Sequence, residues 1–177
     1  LAASVGDAKV EGELGFATSG ERLKVGGGLT VDRVDTAWVL EMIAGSAAFQ
    51  PVSDGQEAAP FANAASLPAD GRIKLKAKVF DLAQVGTATD ASAELAFDAG
   101  SIRLEKFAAG FADGKLTGSI AGANQEGTVT IGADLALVNA ATGKLVTSPG
   151  VSAQADVSCS LSASGKTMAG LVASLAG

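Results

Sequence analysis

Apolar and polar residues alternate with a period of two along most of the chain. The clearest stretch runs from Gly71 to Val138. Ile73, Leu75, Ala77 and Val79 alternate with Lys74, Lys76 and Lys78. That spacing puts apolar residues on one face of a strand and lysines on the other. Ala91, Ala93, Leu95 and Phe97 repeat the pattern, and Asp98-Ala99-Gly100-Ser101 is turn chemistry. Ile102 and Leu104 open the next strand, but Phe107, Ala109 and Phe111 follow on the other parity. An extra residue near Glu105-Lys106, a β-bulge, would keep both sets on one face. Asp113-Gly114 is a two-residue hairpin signal, and Ala123 to Gly127 is a further turn. Leu116, Ile120, Val129, Ile131, Leu135 and Leu137 continue the alternation. The stretch predicts a continuous antiparallel meander.

The flanks read the same way. Val10, Gly12, Leu14 and Phe16 form a strand, Thr18-Ser19-Gly20 a turn, and Leu23, Val25, Leu29 and Val31 a second strand. Asp35 is placed as an N-cap for a short amphipathic helix over 36–44, with Trp38, Val39, Met42 and Ile43 on one face. The periodicity stops from 46 to 70, where Pro51, Pro60 and Pro68 sit among Ala, Ser, Asp and Gln. This predicts a linker or long loop. Val151 to Leu161 alternates as a long final strand, and Ser164 is placed as the cap of a last helix carrying Met168, Leu171, Val172 and Leu175. Three parts follow: a hairpin plus helix over 1–45, a linker over 46–70, and a meander with terminal helix over 71–177. The expected fold is mainly β, an elongated, curved antiparallel sheet of repeated meanders with two short amphipathic helices.

The chain also matches itself. Asp7-Ala8-Lys9-Val10-Glu11-Gly12 aligns with Asp113-Gly114-Lys115-Leu116-Thr117-Gly118, an offset of 106 residues (Asp7 to Asp113). Held without gaps, the offset pairs Leu14 with Ile120, Leu23 with Val129, Val25 with Ile131 and Val31 with Leu137. A preserved apolar phase through two strands and a turn marks a repeat architecture.

Composition narrows the function classes. The 177 residues carry 13 Lys and Arg against 19 Asp and Glu, a net charge of −6, which argues against a generic nucleic-acid binder. Hydrophobic residues make up 47% but aromatics only 5%, so the core is built mainly from Ala, Val and Leu. No run reaches the roughly 18–20 apolar residues of a membrane-spanning helix. No initiator Met stands at Leu1 and no signal peptide is visible, so the chain reads as a piece of something longer with any anchor outside it. The absence of His removes His-based triads and His metal sites. Cys159 is alone, so no internal disulfide forms.

No catalytic constellation emerges. Ser164-Gly165-Lys166-Thr167 looks like the end of a phosphate-binding P-loop, but Ser160 stands where the motif needs its first Gly. Gly26-Gly27-Gly28 reads as a bulge or flexible strand. No acidic pair stands out for glycosidase chemistry, and no cofactor is implied. The chain reads as non-enzymatic. Lys74, Lys76 and Lys78 form a basic stripe, either a solvated outer face or a contact for anionic lipid headgroups. Phe80, Phe97, Phe107 and Phe111 are either core or an apolar groove for acyl chains.

One stretch resembles a known family. Val151 to Gly177, a long alternating strand, a Ser-Gly turn and a short Leu/Ala-rich helix ending in Gly, is similar to the C-terminal region of AsmA-family proteins. The meander fits through Gly71 to Leu82, Ala93 to Phe97, Gly100 to Leu104 and Gly114 to Gly118. So does the strand and helix of Leu29 to Gly45 before a low-complexity linker. One departure is Asn139 to Gly150: the family often has a short helix here, and Gly143 and Pro149 argue against one. The resemblance implies a Gram-negative envelope protein with a periplasmic β-rich body and an inner-membrane anchor outside this sequence. It implies outer-membrane assembly and phospholipid transport along an apolar groove, with an envelope protein as a further partner. Leu75, Val79, Leu95, Phe97, Phe107 and Phe111 are the groove candidates, and Lys74, Lys76 and Lys78 the headgroup candidates. A structural or adhesive β-repeat module that binds protein is the alternative. A carbohydrate-binding sandwich is weaker, since Trp38 is the one Trp available to stack on a sugar.

Overall fold

The computed structural model describes residues 2–5, 8–35, 60–61, 69–145 and 153–177. Their strands are β1 (Ala2–Val5), β2 (Ala8–Ser19), β3 (Arg22–Asp35), β4 (Ala69–Asp81), β5 (Thr87–Asp98), β6 (Ser101–Phe111), β7 (Gly114–Gln125), β8 (Thr128–Ala141) and β9 (Gln154–Gly165). They hydrogen-bond in chain order into one open sheet. The fold is therefore mainly β, and the meander from β4 to β8 is antiparallel as its alternation predicts.

The sheet is mixed rather than antiparallel throughout. β3 and β4 run parallel, with Leu23 opposite Ala69 and Val31 opposite Ala77. A tight hairpin reverses the chain, whereas parallel neighbours need a long return. The connection from 36 to 68 supplies that return, so the parts placed on either side of the linker share one sheet. The helix expected over 36–44 and most of 46–70 lie outside the described residues. Phe61, which falls in the expected linker, is 5% exposed in the core, and its amide donates to the Lys166 carbonyl at 2.7 Å.

Local chemistry sets the register. Lys106 takes a left-handed φ of +54°, and the pairing of β6 with β7 shifts between Leu104 and Phe107. This is the expected bulge, and it keeps Leu104 and Phe107 in one core. The β6–β7 turn is at Ala112-Asp113, with φ of +49° and +61°, one residue earlier than the Asp-Gly signal suggests. Gly114 already pairs with Phe111 inside β7. A Cβ there would lie 2.5 Å from the Val138 carbonyl oxygen, so that glycine serves strand packing rather than the turn.

A second change of phase crosses three strands. Val31, Ala77 and Ala91 lie on one side of it, and Val34, Phe80 and Ala88 on the other. Asp90 has a φ of +50° at this level. The step delivers Phe80 and Ala88 to the core, 4% and 0% exposed, and packs the Phe80 ring 5.4 Å from that of Phe107. It also turns Val79 away from the core.

Besides a 3-10 turn at Ala83–Val85, two α-helices occur among the described residues. α1 (Thr142–Leu145) is a single turn that forms despite Gly143. α2 (Met168–Ala173) packs Met168 and Leu171 against the apolar face. Its cap is Thr167, whose hydroxyl accepts from the Gly170 amide at 3.1 Å, and not Ser164, which lies inside β9.

The repeat is structural. Ala3 pairs Val10 and Val10 pairs Val31; at the 106-residue offset Ala109 pairs Leu116 and Leu116 pairs Leu137. β1–β2–β3 and β6–β7–β8 therefore share one pairing frame. Gly12 and Gly118 occupy the same place in it, with φ of +157° and +155°.

The face opposite the core is laced with ion pairs. Asp70 accepts from Lys24 and Arg22, Asp81 from Arg33, and Glu94 from Lys106 at 3.0 Å. Arg72 lies 3.0 Å from Glu105 and 3.5 Å from Glu94. Lys24 holds the Asp70 carboxyl below the usual carboxylate range, with Arg22 adding to it, and Lys106 does the same to Glu94. A carboxylate with a depressed folded-state pKa stabilises the fold above its ordinary pKa, and that contribution is lost as pH falls. The unfolding temperature should thus drop between about pH 5 and about pH 3. The drop should be smaller in high salt, which screens exposed pairs. Thermal melts across that range test this; a flat profile would show the pairs to be neutral.

Candidate functional site

Alternation and burial assign the candidates to faces. Leu75, Leu95, Phe97, Phe107 and Phe111 share the apolar face. Phe107 is 4% exposed and belongs to the core, while Leu75, Leu95 and Phe111 are half-buried against it. Phe97 is half-buried over Gly71, where a Cβ would come 2.9 Å from its ring. Val79 does not join them. It pairs with Arg33 beside Asp81 and stands on the charged face.

Lys74, Lys76 and Lys78 are exposed on that charged face as well. Lys78 donates to Asp32 at 2.6 Å. The hydrogen bond holds the Asp32 carboxyl below the carboxylate range and raises the Lys78 ammonium above its ordinary value. The aromatic set and the lysine row are thus separated by the thickness of the sheet. One phospholipid cannot lay its chains on the first and its headgroup on the second, so the two sets do not form one site.

The open apolar surface lies instead at the margins of the sheet. Phe16 on β2 is 63% exposed and Leu23 on β3 is 37% exposed; on β9 the values are 50% for Val157 and 37% for Leu161. Pairing carries the apolar row from Phe16 through Val25 and Gly71 to Phe97 and Ile102. On the far side it runs from Leu135 and Leu137 to Cys159 and Val157. The alternation of β2 and β9 placed these residues on a strand face. Which strands would lie at the margins is a property of the pairing order, and the pattern within a strand does not carry it.

Two shallow concavities open on the charged face. One, of about 480 Å³, is floored by Ala121, Ala123, Gly132 and Ser162 with Arg103 at its side. The other, of about 500 Å³, lies over Gly28 between Arg72, Lys74 and Glu94. Small side chains account for both hollows. Among the described residues no cluster of three or more Cys, Asp or Glu is arranged to hold a metal ion. No described helix is long and apolar enough to cross a membrane. No protein-family model, curated protein or solved structure shows a significant match to the chain.

Proposed function

We propose that the chain is a non-enzymatic, AsmA-like envelope module that holds phospholipid acyl chains on the apolar face of its sheet. One observation carries this reading. A single open sheet keeps one face apolar from β2 to β9, and the described margins of that face leave Phe16, Leu23, Val157 and Leu161 in solvent. Each acyl CH₂ laid on such a surface is worth about 0.8 kcal/mol. The headgroup would remain in water past the ends of the strands, since the lysine row faces the other way. The periplasmic setting, the inner-membrane anchor and the role in outer-membrane assembly come from the family resemblance and belong to the same proposal.

Native mass spectrometry of the gently purified chain, with lipid extraction alongside, tests it. Near-stoichiometric phospholipid is expected. A Phe16→Asp, Leu23→Asp double variant should lose it with an unchanged far-ultraviolet spectrum, because both side chains are exposed. A protein that stays apo after incubation with phospholipid vesicles would overturn the reading and leave the structural or adhesive β-repeat module in its place.

A further inference from the structure

We infer that β1–β3 form a detachable ribbon, clasped to the rest of the sheet by ion pairs at the two ends of the parallel β3–β4 seam, and that this seam opens as a unit on acidification. The inference is independent of the lipid reading. It begins with what the ribbon lacks. No described side chain of β2 or β3 is buried. Among the described residues, Val34 is the one member of the ribbon packed against the core cluster. The rest of that cluster comes from Phe61 and from the chain between β4 and α2.

The seam itself is built unevenly. At its centre Gly26, Gly27 and Gly28 lie opposite Arg72, Ile73 and Lys74. These glycines bring no side chain to the junction and weaken the strand. The ion pairs stand on either side of the glycine run. At one end Asp70 accepts from Arg22 and Lys24. At the other Lys78 donates to Asp32 at 2.6 Å, and Arg33 donates to Asp81. Each of these pairs joins β3 to β4. With the ribbon gone, β4 would be the edge of the remaining sheet. Its exposed Lys74, Lys76 and Lys78 are the kind of residue that guards natural edges.

Acid undoes both clasps. Hydrogen bonds from Lys24 and Arg22 hold the Asp70 carboxyl below the usual carboxylate range, Lys78 does the same to Asp32, and Arg33 to Asp81. The clasps therefore stabilise the seam above the ordinary aspartate pKa and are lost as pH falls through the depressed values. The other charges facing them are Lys9 of β2 near Asp32, Glu11 of β2 near Lys78, and Asp35 opposite Asp81. On β5, Asp90 lies level with Lys78 and Asp98 level with Asp70. Once the three clasp carboxylates are protonated, Arg22, Lys24 and Arg33 of β3 stand beside the lysine row of β4, and attraction across the seam turns to repulsion. A ribbon of one short and two long strands has little stability alone, so its own amides exchange in the same opening.

Hydrogen exchange of the intact chain, followed residue by residue by NMR and corrected for intrinsic rates, tests this. From about pH 5 to about pH 2.5 the amides of β2 and β3 should lose protection about tenfold or more relative to those of β6 to β8. At pH 7, about two units above that window, an Asp32→Asn, Asp70→Asn double variant should show the same selective loss, because it removes an acceptor charge at each end of the seam. Asp134→Asn on β8 should not, since Asp134 accepts from the Ser160 hydroxyl at 2.7 Å rather than from a cation. Loss of protection in β2–β3 and β6–β8 together overturns the proposal, because the sheet then opens as one unit. So does a double variant whose ribbon keeps the protection of the parent.

Discussion

Gly118→Ala should destabilise the protein by about 3–5 kcal/mol, near the top of the range for single substitutions. Gly118 sits within β7, opposite Phe107 on one side and Leu135 on the other. A Cβ built there lies 2.0 Å from the Asp134 carbonyl oxygen and 3.0 Å from the Leu135 Cα. Both are backbone atoms of β8, so no rotamer change relieves the clash. The strand would have to separate from β8, and its φ of +155° adds strain for any side chain. Gly12 has the same environment in the first repeat, with its Cβ position 2.1 Å from the Gly28 carbonyl oxygen. β7 lies inside the sheet under the core, however, while β2 lies beside the four-residue β1 at the margin. Gly12→Ala should therefore cost less, since a marginal hairpin can open locally. Urea melts of the two variants measure the difference. A Gly118→Ala protein within about 0.5 kcal/mol of the parent would show that the close approach of β7 and β8 is not maintained in solution.

This pair of glycines also shows what the sequence discloses. The offset between Asp7 and Asp113 aligns them, and the structure gives both hairpins one pairing frame. Period-two alternation located every long strand, because burial on one face of a sheet writes itself into every second residue. The parity change at Phe107 disclosed the bulge at Lys106 for the same reason. The step that carries Phe80 inward and Val79 outward was invisible. Val79 continues the alternation of Ile73, Leu75 and Ala77, and the break appears only in the structure, where Val79 lies opposite Arg33 and Thr89 beside the left-handed Asp90. The parallel pairing of β3 and β4 was likewise hidden, since alternation has no direction. Phe61 was missed because a single apolar residue among Pro, Ala and Ser has no period to betray it.

The same limit governs the candidate site and sets the second large effect. Phe107→Ala should cost about 3–5 kcal/mol, as truncation of a buried aromatic does. Its ring is 4% exposed, stacks at a tilt on Phe80, and lies in the cluster that includes Leu104, Ala109 and Leu116. Alternation places Phe16 and Phe107 alike on a strand's apolar face, yet Phe16 is 63% exposed at the margin. Phe16→Ala should stay within about 0.5 kcal/mol of the parent. Lipid retention should respond in the opposite sense: Phe16→Asp should reduce bound phospholipid in a folded protein, and Phe107→Asp should abolish the cooperative melt itself. Chemical denaturation and lipid extraction on the same four variants separate a core position from a binding position. Should Phe107→Asp fold cooperatively and merely lose lipid, the apolar face would be open at its centre, and the acyl chains would lie over β5 and β6 rather than along the margins.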